Sequence, residues 1–314
     1  MDKMWVYMLQ LGSNMWRKKG AHNPVYAESI YHDTMYTEKE VWDKLTEFLP
    51  GAGFNTVLVD VGEAIQLDSH PELTIPGSWS KSQAKEELCR LRELGLTPIP
   101  KLNFSAGHNA WLQDYAYMIG TDTYYKVTEE ILEEMIEIFD TPEFFHLGLD
   151  EETTSQAEYN PITVLRSSFK FVEDAQKLFR VCDKKNVRPW IWLDKAALKV
   201  FGGDEGFCQN IPKNALVSNW YYYDFNVERH QDWVEIYKKL GEWGYDQIPC
   251  CSTWNNSRNC WQTLEYCKAN VNPDSIKGYM SAPWLFTTTK NYYGLLNGAQ
   301  VFQHAKQQFY PEAE

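Results

Sequence analysis

Apolar residues along this chain change their period again and again. Short runs with few charges at 5–11, 55–61, 97–104, 144–149, 188–193, 215–220, 247–252 and 276–283 read as buried strands. Between them, apolar positions recur at helical spacing. In 38–49 they are Val41, Leu45 and Phe48, and Pro50-Gly51 closes the segment. In 81–94 they are Ala84, Leu88, Leu91 and Leu94, stopped by Gly95. Further helices are expected at 127–139, 166–184, 231–243, 261–269 and 293–308. Strands alternating with helices in this way predict an α/β fold, a single (β/α)8 TIM barrel. An open doubly wound sheet would carry a glycine-rich phosphate loop after an early strand, and the sequence has neither GxGxxG nor a Walker A pattern. No linker composition divides the chain. One barrel domain over residues 1–314, without an accessory domain, is therefore expected.

The strand C-termini of such a barrel share one face, where chemistry is kept. The fourth strand is the most informative. Phe144-Phe145-His146-Leu147-Gly148-Leu149 runs straight into Asp150-Glu151-Glu152. Taken alone, three acids there are either a solvated loop or a catalytic cluster. The other strand ends add Asn14 and Trp16, Asp60 and Glu63, Asn103 and His108, Trp192 and Asp194. Strands six to eight add Trp220, Tyr222 and Asp224, then Trp254 and Asn255, then Trp284. Carboxylates for proton transfer beside rings that stack on sugar faces suit a carbohydrate-cleaving pocket. His146 lies one strand repeat before the acids and either packs inside the barrel or touches substrate. Glu152 is expected at the surface, with the acid role as its alternative. Glu129-Glu130 and Glu133-Glu134 read as the solvated face of a helix.

Composition narrows the partners. Hydrophobic residues make up 44% of the chain, as in ordinary globular proteins. The 13 Trp, 19 Tyr and 15 Phe exceed what a core needs and suggest an aromatic-lined cleft. A net charge of −13 argues against nucleic acid and anionic membranes as partners. The seven cysteines show no ligand spacing, and no secretory leader pattern opens the chain, so a cytoplasmic location is expected. No cofactor is implied. A metal-dependent hydrolase built on Asp60, His108, His146 and Asp150 would lack the usual HxH or HxxxH spacing, so no metal is expected. Oligomeric state is not legible.

Two motifs resemble glycoside hydrolase family 20, the β-N-acetylhexosaminidases. The family's fourth strand reads His-x-Gly-Gly-Asp-Glu, and here His146-Leu147-Gly148-Leu149-Asp150-Glu151 stands there. Its third strand, Pro-Glu-Ile-Asp-x-Pro-Gly-His, is similar to Pro100-Lys101-Leu102-Asn103-Phe104-Ser105-Ala106-Gly107-His108, with one residue more. Trp192-Leu193-Asp194, Trp220, and Gly278 followed by Trp284 resemble its later strands, in order along the whole barrel. The resemblance implies a retaining, substrate-assisted hydrolase that removes a 2-acetamido-hexose from a glycan. Glu151 would be general acid and then base, and Asp150 would hold the acetamido group. His108 and Asp60 would form a relay behind Glu151. Trp192, Trp220 and Trp284 would wall the sugar. Their places at the strand ends make Asp194, Tyr222, Trp254, Asn14 and His146 further candidates for substrate contact. The departures concern hydroxyl recognition: Asn14 replaces an arginine, Phe286 follows Trp284 where an acid is usual, and Lys101, Asn103 and Ala106 replace Glu, Asp and Pro. They motivate the alternative of a non-catalytic, glycan-binding barrel descended from such an enzyme.

Overall fold

The computed structural model describes residues 3–22 and 27–311. β1 (Met4–Gln10), β2 (Thr56–Asp60), β3 (Thr97–Lys101), β4 (Phe144–His146), β5 (Arg188–Leu193) and β6 (Leu216–Asn219) pair in chain order, all parallel. β7 (Asp246–Gln247) pairs with β6, β8 (Cys250–Cys251) with β9 (Gly278–Ser281), and β9 with β1. Bridges Trp220–Cys250 and Gln247–Ile276 tie β7 and β8 to both neighbours, so together they fill one barrel position and the sheet closes. The expected seventh strand, 247–252, is therefore present but broken. Pro249 lies at the break and has no N–H to give to a ladder.

Helices cover the outside: α1 (Lys39–Gly51), α2 (Lys81–Glu93), α3 (Asp122–Ile138), α4 (Thr154–Ala157), α5 (Ser168–Lys184), α6 (Lys195–Val200), α7 (Gly203–Asn210), α8 (Gln231–Val234), α9 (Ile236–Glu242), α10 (Asn259–Asn270) and α11 (Tyr292–Phe309). Their starts are chemically marked. Ser80 and Gln83 form a reciprocal capping box on α2, and Thr121, Ser167 and Asp194 accept backbone N–H groups at the starts of α3, α5 and α6. The single helix expected over 231–243 is two, because the chain relaxes at Glu235, where ψ is −19°. None of the helices is long and apolar enough to cross a membrane, among the described residues.

Strand alternation separates two cores. Trp5, Tyr7 and Leu9 of β1 face the helices, whereas Val6 and Met8 face the barrel interior with Leu58, Ile99, Phe144, Trp190, Trp192, Leu216 and Met280. On β1 to β4 the apolar filling stops one layer below the C-terminal mouth, whereas on β5 and just after β6 it continues through Trp192 and Trp220. On those first four strands the interior positions become Gln10, Asp60, Lys101 and His146, paired with one another across four adjacent strands.

Candidate active site

The expected fourth strand does not reach residue 149. It ends at His146 because Gly148 and Leu149 take left-handed backbone conformations, with φ of 71° and 68°. Glu151 does the same, at φ 49°. On a regular strand Asp150 and Glu151 would point to opposite faces. The bend brings both to one imidazole. His108 Nε2 donates to Glu151 Oε2 at 3.1 Å and lies 3.9 Å from Asp150 Oδ2. Non-glycine residues in this region are strained, and such strain persists where surrounding contacts hold it. Asn103 is that contact. Its amide donates to Asp150 Oδ1 at 2.8 Å, while its Oδ1 accepts Leu149 N at 3.2 Å and Ser105 N at 3.0 Å. A Cβ on Gly148 would stand 2.1 Å from Asn103 Oδ1, so only glycine fits.

The charges at this bend are coupled. Burial raises the pKa of Asp150, and the neighbouring Glu151 charge adds to it. Burial opposes a charge on His108, but Asp150 and Glu151 outweigh it and its pKa is raised. Asp194 is pushed up to about 8 by burial, against the helix N–H it accepts, with Glu151 and Asp150 contributing. Asp150 and Asp194 thus both hold a proton more readily than an ordinary aspartate. His108, Asp150 and Glu151 each offer a ligand atom within 4.8 Å of the others, so these three are also the residues that could hold a cation.

Aromatic rings pack around the same end of the barrel; Trp220 and Tyr222 are buried, Trp192 completely, and Trp16 and Trp284 are half-buried. Trp192 packs at 4.4 Å on His146 and 5.9 Å from Trp284. Trp220 stacks on Tyr222 at 5.0 Å, and Tyr222 lies 6.5 Å from Trp284. Trp16 extends this packing between Trp284 and Phe286, at 6.5 and 5.3 Å. Trp284 itself is left-handed, at φ 55°.

Other expected residues sit elsewhere. Asp60 is joined to Lys101 Nζ at 2.6 Å, deep in the barrel, and not to His108. Asn14 is a loop clamp: its side chain exchanges two hydrogen bonds with the backbone of His32. Trp254 stands 46% exposed on the loop after β8. Glu152 is not a surface acid. It is buried against Arg166, which also donates to Phe104 O at 2.9 Å, while Glu152 Oε2 accepts Ala106 N at 3.0 Å. This pair fastens the loop carrying His108 to the loop carrying Asp150 and Glu151. The sequence pattern held no signal for Arg166, because the contact spans a folded loop. Glu63 is likewise buried, accepting Ser13 N at 2.7 Å and Asn14 N at 3.0 Å, and burial pushes it up to about 6.

No protein-family model matches the sequence, and no curated protein matches it. Solved structures do. The β-N-acetylhexosaminidase from Bacteroides fragilis NCTC 9343 is similar with a TM-score of 0.63 and 14% identity, over 96% of this chain and 65% of that one. The family 20 β-N-acetylhexosaminidase from Streptomyces coelicolor A3(2) is similar at 0.61 and 12%, over 95% and 63%. Dispersin B is similar at 0.55 and 15%, over 96% and 99%. The barrel has the fold of family 20 hexosaminidases. The resemblance read from strands three and four therefore extends to the whole fold, although this chain spans just under two thirds of the length of the Bacteroides and Streptomyces enzymes.

Proposed function

We propose that this barrel is a glycoside hydrolase that removes a 2-acetamido-hexose from a glycan with retention of configuration. One observation carries the reading: consecutive carboxylates, Asp150 and Glu151, converge on His108 at the C-terminal mouth, beside a cluster of aromatic rings. Glu151 is the more accessible of the two, with 28% of its side chain exposed, and serves as general acid and then general base. Asp150, fixed by Asn103, holds the acetamido N–H, so that the sugar's own carbonyl oxygen attacks the anomeric carbon. No enzyme carboxylate then needs to be the nucleophile. His108 orients Glu151. Trp284 and, behind it, Trp192, Trp220 and Tyr222 border the ring. The names of the structural neighbours, which are hexosaminidases, support the same substrate class.

The test compares aryl glycosides of a 2-acetamido sugar and its 2-hydroxy counterpart. Cleavage with retention of the first alone is expected, unaffected by a chelator. A covalent sugar adduct on Asp194 or another carboxylate would overturn substrate assistance. The second reading, a binding barrel without turnover, is favoured by one observation: Lys101 holds Asp60, which was expected behind His108. Glycan binding without cleavage of any 2-acetamido glycoside would establish it.

A further inference from the structure

The bend that aims Asp150 and Glu151 at His108 also sets three metal-binding atoms face to face. His108 Nε2 is 3.1 Å from Glu151 Oε2 and 3.9 Å from Asp150 Oδ2, and one ligand atom of each residue lies within 4.8 Å of the other two. Ligand atoms about 2.1 Å from a tetrahedral zinc ion stand about 3.4 Å apart. The first two spacings bracket that value, so an ion touches all three after a small side-chain shift. Among the described residues, no other group of His, Cys, Asp and Glu gathers this closely. His70 shows the contrast. It too meets two carboxylates, Glu72 at 2.9 Å and Glu130 at 3.1 Å, but on opposite ring nitrogens. One ion cannot reach both. At His108 both carboxylates approach the same nitrogen.

The frame around the three holds them as ligands. Asn103 donates to Asp150 Oδ1 and leaves Oδ2 on the side of the imidazole. An outer partner of this kind fixes a ligand's orientation and supports metal affinity. His108 and Asp150 are nearly buried, with 9% and 6% of their side chains exposed, whereas Glu151 has 28% exposed. The group therefore opens to solvent on the Glu151 side, where a hydrated ion enters and keeps water in its remaining positions. Adjacent carboxylates repel each other, and a divalent cation cancels that repulsion. One imidazole with two carboxylates suits zinc and similar borderline ions better than magnesium or calcium, which take oxygen ligands. The ion replaces the proton on His108 Nε2, which goes to solvent or, in a neutral ring, to Nδ1.

We infer that zinc, or a divalent ion of similar chemistry, binds reversibly to His108, Asp150 and Glu151 at the mouth of the barrel and shuts the site. The binding rests on the geometry of the three side chains. Its effect on turnover rests on the reading of Glu151 as the general acid and Asp150 as the residue that holds the acetamido group. The ion engages both carboxylates at once, so ion and sugar exclude each other, and the ion is an inhibitor and not a cofactor.

The experiment titrates zinc chloride into the metal-free protein by calorimetry, with magnesium chloride as the contrast. It is repeated on His108→Gln, Asp150→Asn and the control His70→Gln, with folding checked by thermal melting. One zinc per chain, with no matching magnesium binding, is expected. His108→Gln and Asp150→Asn should each weaken it by at least about tenfold, since losing even an outer partner of a metal ligand typically costs about 10–100-fold. His70→Gln should leave it unchanged. An anomalous-scattering peak between the three side chains in a zinc-soaked crystal locates the ion without any variant. On the aryl 2-acetamido glycoside, zinc should raise KM at constant kcat, and a chelator should reverse the effect. No saturable zinc binding, or wild-type affinity in both His108→Gln and Asp150→Asn, overturns the inference and leaves the proposed function standing. Zinc bound at the three residues with turnover undiminished, or turnover that requires zinc, overturns the assignment as an inhibitor. Zinc bound there in a protein that cleaves no 2-acetamido glycoside supports the metal site and overturns the hydrolase reading.

Discussion

Glu151 and Glu152 are the same residue at adjacent positions, yet they inhabit different worlds. Glu151 sits on a strained, left-handed backbone, partly open to the mouth, with an imidazole at 3.1 Å. Glu152 is sealed from solvent against Arg166, and its second oxygen accepts a backbone N–H from the loop after β3. One acid is placed where protons can come and go. The other is held by a permanent cation that cannot release a proton at ordinary pH. A one-residue rotation of the chain separates chemistry from architecture, and the two depend on each other. The Glu152 clamp joins the loops whose contact makes the Glu151–His108 pair.

The largest expected effect lies on the chemical side. Glu151→Gln should lower kcat on a natural 2-acetamido glycoside by about 10²–10⁴-fold, with a smaller loss on substrates whose leaving group needs no proton. Steady-state kinetics on both substrate types checks this. Near-normal turnover in Glu151→Gln together with a dead but folded Glu152→Gln would reverse the roles assigned to the two acids.

Next in size is the clamp. Arg166→Met leaves Glu152 charged and buried, and should destabilise the fold by about 3–5 kcal/mol. Adding Glu152→Leu should recover most of that loss, because a buried pair replaced as a unit is often close to neutral. Denaturant unfolding of the single and double variants decides it. If the double variant is no more stable than the single one, the pair is not the structural unit described.

Gly148→Ala tests the bend that separates the two acids. The added Cβ would overlap Asn103, whose backbone Cα would be 2.7 Å away, and the residue would have to keep a positive φ, which by itself costs on the order of 1–3 kcal/mol. Activity should fall further than stability does, because Asn103 positions Asp150. A variant with wild-type kcat and kcat/KM would show that the bend is not what aims the acids.

The smallest effect is a slope. Glu63 keeps its proton in the native state up to about pH 6, whereas the ordinary value is 4.5. Between those values the folded protein binds more protons than the unfolded chain, so stability falls as pH rises through this window, by about 2 kcal/mol. The stabilisation is present below the unfolded value and gone above the folded one. Glu63→Gln should flatten that slope, whatever its offset, in unfolding measured at intervals from pH 4 to 7. An unchanged slope would mean that Glu63 titrates normally and that its clamp on the loop after β1 is indifferent to pH.

The periodicity of the chain was enough for the barrel. Each strand needed only a short apolar run, and each helix an apolar stripe with a capping residue or a glycine stop, all of which are local signals. The errors fell where local signals compete. Strand seven is broken at a proline, and the long helix over 231–243 splits at Glu235. The candidate acids could be read because they follow a buried strand directly, and the aromatic cluster because so many strands end in a ring. What neighbours each residue finally keeps was decided in three dimensions. The pairing of Asp60 with Lys101 follows from strand register, and that of Glu152 with Arg166 from a loop folding back across fourteen positions. The polar row from Gln10 to His146 lies across four neighbouring strands and emerges only in the assembled sheet. Periodicity says which face of a strand a residue occupies. Only closure brings the strands around the barrel, and so says what that face meets.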